Sequence, residues 1–119
     1  MRRTLATLAA LAILSSASIA AAQGGSVEQA KTFFTAGAAA YEKGNFAAAI
    51  QAFEEAQRLA PRPAIVFSLA QAYKRQYFAE RRPSDLRRAA ELFKQYLGEM
   101  KEGGRRADAA QALSELEPM

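Results

Sequence analysis

An all-α chain is predicted, on three observations. Beyond residue 26, apolar residues recur at spacings of three and four, the period of a single helix face. Nowhere do Val, Ile and Thr alternate with polar residues at period two, as in a half-buried strand. Gly44, Pro61, Pro63, Pro83 and Gly103-Gly104 divide the periodic stretches at short intervals, so brief connections should join neighbouring helices.

The chain opens on Met1-Arg2-Arg3, followed by an apolar run from Leu5 to Leu14 that continues through small residues to Ala20-Ala21-Ala22. A positive start, an apolar middle and a small-x-small end form the pattern of a secretory signal. Residues 1–22 are therefore expected to be removed by cleavage after Ala22, leaving an exported protein, periplasmic or secreted, with no mature membrane span. No cysteine follows the run, which excludes a lipid-modified start. Loss of Arg2 and Arg3 would lower the formal net charge from +4 to +2, weakening the case for nucleic acid.

Residues 23–29 read as a lead-in. Gln23-Gly24-Gly25 should be flexible, and Ser26 with Gln29 three residues later has the spacing of a capping box, placing a helix start near Val27. Phe33, Ala36, Gly37, Ala40 and Tyr41 then form one helix face, and Gly44 ends the helix by taking a left-handed turn. Asn45 is suited to cap a second helix, whose buried stripe is Phe46, Ala49, Ile50, Phe53, Ala56 and Ala60. Pro61 and Pro63 break that helix. Val66, Leu69, Ala70 and Tyr73 mark a third helix, and Arg81-Arg82-Pro83 interrupts it. With Ser84 as cap, a fourth helix should bury Leu86, Ala89, Ala90, Phe93, Tyr96, Leu97 and Met100, up to Gly103-Gly104. The last helix, Ala107 to Leu116, places Ala109, Leu113 and Leu116 on one side.

These helix pairs form a repeat. Ala30 to Pro61 resembles a tetratricopeptide repeat: Phe33 stands at the large aromatic, Ala36-Gly37 at the Leu-Gly pair, and Tyr41 beside the tyrosine position. Gly44-Asn45-Phe46, Ala49, Phe53, Ala56 and Pro61 complete the motif. The chain departs from it at Ala36 and Ala40, where the family has larger residues. A second, altered copy has Leu69-Ala70, Tyr73, Ala89, Phe93 and Tyr96. The resemblance implies repeats over 30–62 and 63–102, with an insertion of about seven residues near 75–84, and a capping helix over 103–119. Small residues at Gly37 and Ala49 would let the first two helices approach closely.

Composition narrows function. The 119 residues contain no cysteine, histidine or tryptophan, which removes disulfides, thiol nucleophiles, imidazole acid–base chemistry and the usual zinc ligands. Glu54-Glu55 and the Glu99, Glu102 pair lack a neighbouring nucleophile, and no phosphate-cradling glycine loop follows a strand. No enzyme activity and no cofactor are expected.

The family resemblance implies a protein-interaction role, with the first helix of each pair lining a concave groove. That assigns Lys31, Phe34, Ala38, Tyr41 and Glu42 from the first repeat, and Phe67, Gln71, Lys74 and Arg75 from the second. A protein or peptide partner with an acidic segment or terminal carboxylate would meet the cations, while Phe34 or Phe67 meets an apolar residue. Tyr77, Phe78, Arg81 and Arg82, with Arg87 and Arg88 nearby, form a candidate partner loop suited to an acidic protein or an anionic membrane; export disfavours nucleic acid. Two repeats and a cap fall short of the roughly three that a stable array needs, so a homo-oligomer, self-assembling and without a groove ligand, is an alternative, as is a fragment of a larger protein.

Overall fold

The computed structural model describes the backbone of residues 14–119 and the side chains of residues 24–119. The charged start and most of the apolar run of the expected signal segment lie outside the described residues. Five helices and no strand are present among those described: α1 Leu14–Glu42, α2 Phe46–Leu59, α3 Pro63–Glu80, α4 Pro83–Glu99 and α5 Arg106–Leu116. Each packs on the next in sequence, α1 on α2, α2 on α3, α3 on α4 and α4 on α5. Burial is therefore local, and helix faces must match their immediate neighbours.

The expected break near Val27 is absent. α1 passes through Gln23-Gly24-Gly25 without interruption, and Ser26 lies inside the helix, where it cannot cap it. Each helical glycine costs about 1 kcal/mol, yet a break here would require a new and unfavourable nucleation event after an alanine run. At its other end α1 stops as predicted. Gly44 adopts φ 76°, and the Asn45 amide donates to the Ala40 carbonyl at 2.9 Å, closing the helix with a left-handed turn. Asn45 Oδ1 accepts from the Ala48 amide at 3.4 Å, the predicted cap of α2.

α1 and α2 meet at small residues. Ala49 is wholly buried, and a Cβ at Gly37 would lie 2.7 Å from the Phe53 ring. Phe33 does not belong to this contact. It is 38 % exposed and Ala36 is exposed too, because no described element covers that side of α1. The buried face is rotated to Ala30, Gly37 and the half-buried Phe34, Ala40 and Tyr41.

Ile65, Val66, Leu69 and Ala70 of α3 form the centre of the core with Ala89, Leu92, Phe93 and Tyr96 of α4. Phe93 is completely buried, its ring 5.8 Å from that of Phe67. Of the residues expected on the inner face of α4, Leu86, Ala90, Leu97 and Met100 are only half-buried, while Leu92 and Asp85 go inside. Pro83, not a residue after Ser84, is the first residue of α4. Proline loses no helical hydrogen bond at that position and its fixed φ suits a helix start. Serine at position 84 therefore lies within the first turn.

The extra residues near 75–84 do not form a loop. They continue α3 to Glu80, and Arg81-Arg82 alone connects to α4. Asp85 makes this short link possible. It is 5 % exposed, accepts from Gln76 Nε2 at 3.2 Å and Arg82 Nε at 3.1 Å, and sits in the first turn of α4, where the helix dipole favours a carboxylate.

α4 stops at Glu99, short of the expected Gly103-Gly104; those two glycines, with φ of 70° and 57°, lie in the following turn and send the chain back sharply. Arg106 reaches from α5 to the Leu97 and Met100 carbonyls, both at 2.8 Å, satisfying acceptors that the helix end leaves open.

Between the two hairpins, the Tyr73 hydroxyl donates to Glu54 Oε1 at 2.7 Å. Burial, with the Glu54 carboxylate beside it, pushes the Tyr73 phenol up to about 12. Folding thus favours the protonated phenol. Its contribution is whole below the unfolded value of about 10 and is lost as pH climbs from there through about 12. Tyr73→Phe is expected to cost about 1 kcal/mol at neutral pH. The gap between wild type and variant should narrow above pH of about 10, as read by urea denaturation at stepped pH; a constant gap would show that the hydrogen bond contributes no pH dependence.

Candidate partner-binding groove

α1 and α3 lie on either side of α2, so their inner faces form the two walls of a recess. Phe34, Ala38, Tyr41 and Glu42 come from α1, and Phe67, Ser68 and Gln71 from α3. Phe53 of α2 forms the floor, its ring 5.3 Å from Phe34. The recess is open to solvent and has a volume of about 150 Å³, room for one side chain of a partner. Phe34 also lines two neighbouring depressions, one against Ala60, Arg62 and Ile65, the other running to Met100 and Gly104. The three adjoin along one side of the molecule.

Arg105 completes the recess. Its guanidinium lies 4.3 Å from the centre of the Phe67 ring, a favourable cation–π distance, while Nε donates to Asp108 at 3.0 Å. The backbone holds it there: the Arg105 amide donates to the Tyr96 hydroxyl at 2.7 Å. Phe67 is otherwise sandwiched in the core, 3 % exposed, with Tyr96 at 5.2 Å.

Six of the nine residues expected in a groove are thus brought together: Phe34, Ala38, Tyr41, Glu42, Phe67 and Gln71. The three cations are placed elsewhere. Lys31 lines the neighbouring depression and pairs with Glu28 at 3.4 Å. Lys74 turns to α5 and pairs with Glu115 at 3.3 Å. Arg75 stacks on Phe46 and Tyr41, 5.1 and 5.7 Å from the ring centres. The groove cation is Arg105, which sequence reasoning missed, as it missed Phe53 and Ser68. Only the double glycine before Arg105 signalled that the chain reverses there.

The four residues of the candidate loop occupy the end of the α3–α4 hairpin. The Tyr77 and Phe78 rings are 5.6 Å apart, and the Arg81 guanidinium lies 5.4 Å from each. Arg82 is held between Glu80 at 2.7 Å and Asp85 at 3.1 Å. Among the described residues no group of three or more acidic side chains is arranged to hold a metal ion, and no helix is long and apolar enough to cross a membrane.

Comparison of the chain with protein-family models, with curated proteins and with solved structures finds no match.

Proposed function

We propose that this protein is a non-catalytic, exported interaction module of tetratricopeptide type, which holds an apolar side chain of a protein or peptide partner in the α1–α3 recess. The observation that carries this reading is the convergence of Phe34, Tyr41, Phe53 and Phe67 from three helices on one open recess, edged by Ser68, Gln71, Glu42 and Arg105. Aromatic walls with a few polar groups at the rim suit an anchoring side chain. Arg105 keeps guanidinium nitrogens beyond the one bonded to Asp108, suited to a partner carboxylate or carbonyl next to the anchor.

The repeat reading is supported by consecutive helices that pack chiefly on their sequence neighbours, and by Gly37 and Ala49 at the α1–α2 contact. Export is supported by the arrangement of Arg2-Arg3, the apolar run and Ala20-Ala21-Ala22.

Ala38→Trp tests the groove. Ala38 is half-buried on α1, and an indole there fills the recess without removing a core contact. A partner captured by wild type from an envelope extract should be recovered at least about tenfold less with the variant, helicity being unchanged by circular dichroism. Equal recovery would place the binding surface outside the recess.

A further inference from the structure

The formal charge of this chain is concentrated in one place. Residues 74–88 contain six cations, Lys74, Arg75, Arg81, Arg82, Arg87 and Arg88, and two acids, Glu80 and Asp85. They carry a net +4, equal to the net charge of the whole chain; all other residues balance to zero. The fold gathers this segment at the α3–α4 hairpin end.

Both acids are already engaged. Glu80 and Asp85 pair with Arg82, and Lys74 and Arg88 pair with Glu115 and Glu91. Among the described residues Arg75, Arg81 and Arg87 have no carboxylate partner, and all three are exposed. Arg75 precedes Arg81 by six residues and Arg87 is the fifth residue of α4, so each lies within about 9 Å of the hairpin end along the helix axes. That is about one Debye length at physiological salt, and the three act on an approaching anion as one patch.

The same end presents aromatic surface. Phe78 is 38 % exposed and stacks with half-buried Tyr77 under the Arg81 guanidinium. Arg81 adopts φ 59° to take this position, a left-handed conformation unfavourable for an arginine. We infer that the α3–α4 hairpin end docks on the surface of an anionic lipid bilayer, with Arg75, Arg81 and Arg87 at the headgroup phosphates and the Phe78 and Tyr77 rings at the interface. Charge complementarity selects an anionic surface. The ring pair under an arginine selects a lipid one, since aromatic rings and arginine stems settle where apolar and polar layers meet. The patch adjoins the recess at Arg75, which stacks on Tyr41 of the recess wall, while Tyr77, Phe78, Arg81 and Arg87 do not line it.

The test is flotation of the exported chain, beginning at Gln23 after the expected cleavage, with vesicles of phosphatidylcholine alone, or with about 30 % phosphatidylglycerol. Wild type should partition preferentially to the anionic vesicles and be released by salt of about 0.5 M. Arg81→Asn, which tolerates the left-handed backbone, combined with Arg87→Gln should lower partitioning about thirtyfold, at roughly fivefold per arginine. Phe78→Ser should lower it several-fold at constant charge, and polyglutamate should compete poorly. Three results would each overturn the inference: equal binding to neutral vesicles, unchanged partitioning of the double variant, or full displacement by polyglutamate with Phe78→Ser silent. The last would assign the patch to acidic polymers in general. Circular dichroism of each variant confirms that the helices persist.

Discussion

Replacing Phe93 with alanine is expected to remove about 4 kcal/mol of stability, within the range for deleting a buried phenylalanine side chain. No atom of Phe93 reaches solvent, and its ring packs edge-on against Phe67 at 5.8 Å. Rigid helices cannot close around the vacated space, so lost transfer energy and lost packing add. A small domain has only about 5–15 kcal/mol in total; the variant should stand close to unfolding at ambient temperature. Equilibrium denaturation in urea reads the loss directly. Because Phe67 carries the guanidinium of Arg105, the variant should also loosen the recess rim while still folded. A loss under about 1 kcal/mol would mean that the α3–α4 contact is not the centre of the core.

The second large effect is at Gly37. Glycine to alanine inside a helix ordinarily stabilises by about 1 kcal/mol. Here the added carbon would stand 2.7 Å from the Phe53 ring, and the ring is hemmed in by Phe34. Overpacking of this kind costs about 1–3 kcal/mol, so Gly37→Ala should be a net loss and Gly37→Leu a loss of about 3 kcal/mol. Gly98 supplies the contrast. It is helical, exposed and has nothing within 4 Å of its added carbon, so Gly98→Ala should gain up to about 1 kcal/mol. Parallel urea titrations of the three variants decide the matter; matching gains at Gly37 and Gly98 would remove close approach as the reason for Gly37. Since Phe53 is the recess floor, a displaced ring should also reduce partner recovery with Gly37→Ala.

Local signals carried much of this fold. Gly44 and Asn45 act at the α1–α2 turn through backbone conformation and one cap, both properties of a few consecutive residues. Gly103-Gly104 and the Arg81-Arg82-Pro83 break are of the same kind. Phe33 shows where a periodic pattern misleads. Helical period places Phe33 on one face with Gly37 and Ala40, but whether another element packs against it is not a property of the segment. Ser84 shows that two adjacent start signals compete, and that Pro83, needing no partner, sets the boundary.

The groove divides along the same line. Phe34, Ala38, Tyr41, Glu42, Phe67 and Gln71 were assigned through the resemblance, which implies that the first helix of each pair lines a groove; the helical period of α1 pointed instead to Phe33 and Ala36, which are exposed. The resemblance misplaced Lys74 and Arg75, since their partners, Glu115 on α5 and the rings of Tyr41 and Phe46, lie far along the chain. The insertion near 75–84 could have been loop or helix; Gln76 and Asp85, nine residues apart, made it helix by satisfying each other inside the hairpin.

The sequence by itself determined the helical segments and the turns at Gly44-Asn45 and Arg81-Arg82-Pro83, because caps, glycine turns and helical period act over a few bonds. Tertiary structure alone decided that Arg105 edges the recess and that Arg75, Arg81 and Arg87 stay without a carboxylate partner while Lys74, Arg82 and Arg88 are paired. Which charges pair and which stay free depends on distances between segments, and these exist only once the helices have packed.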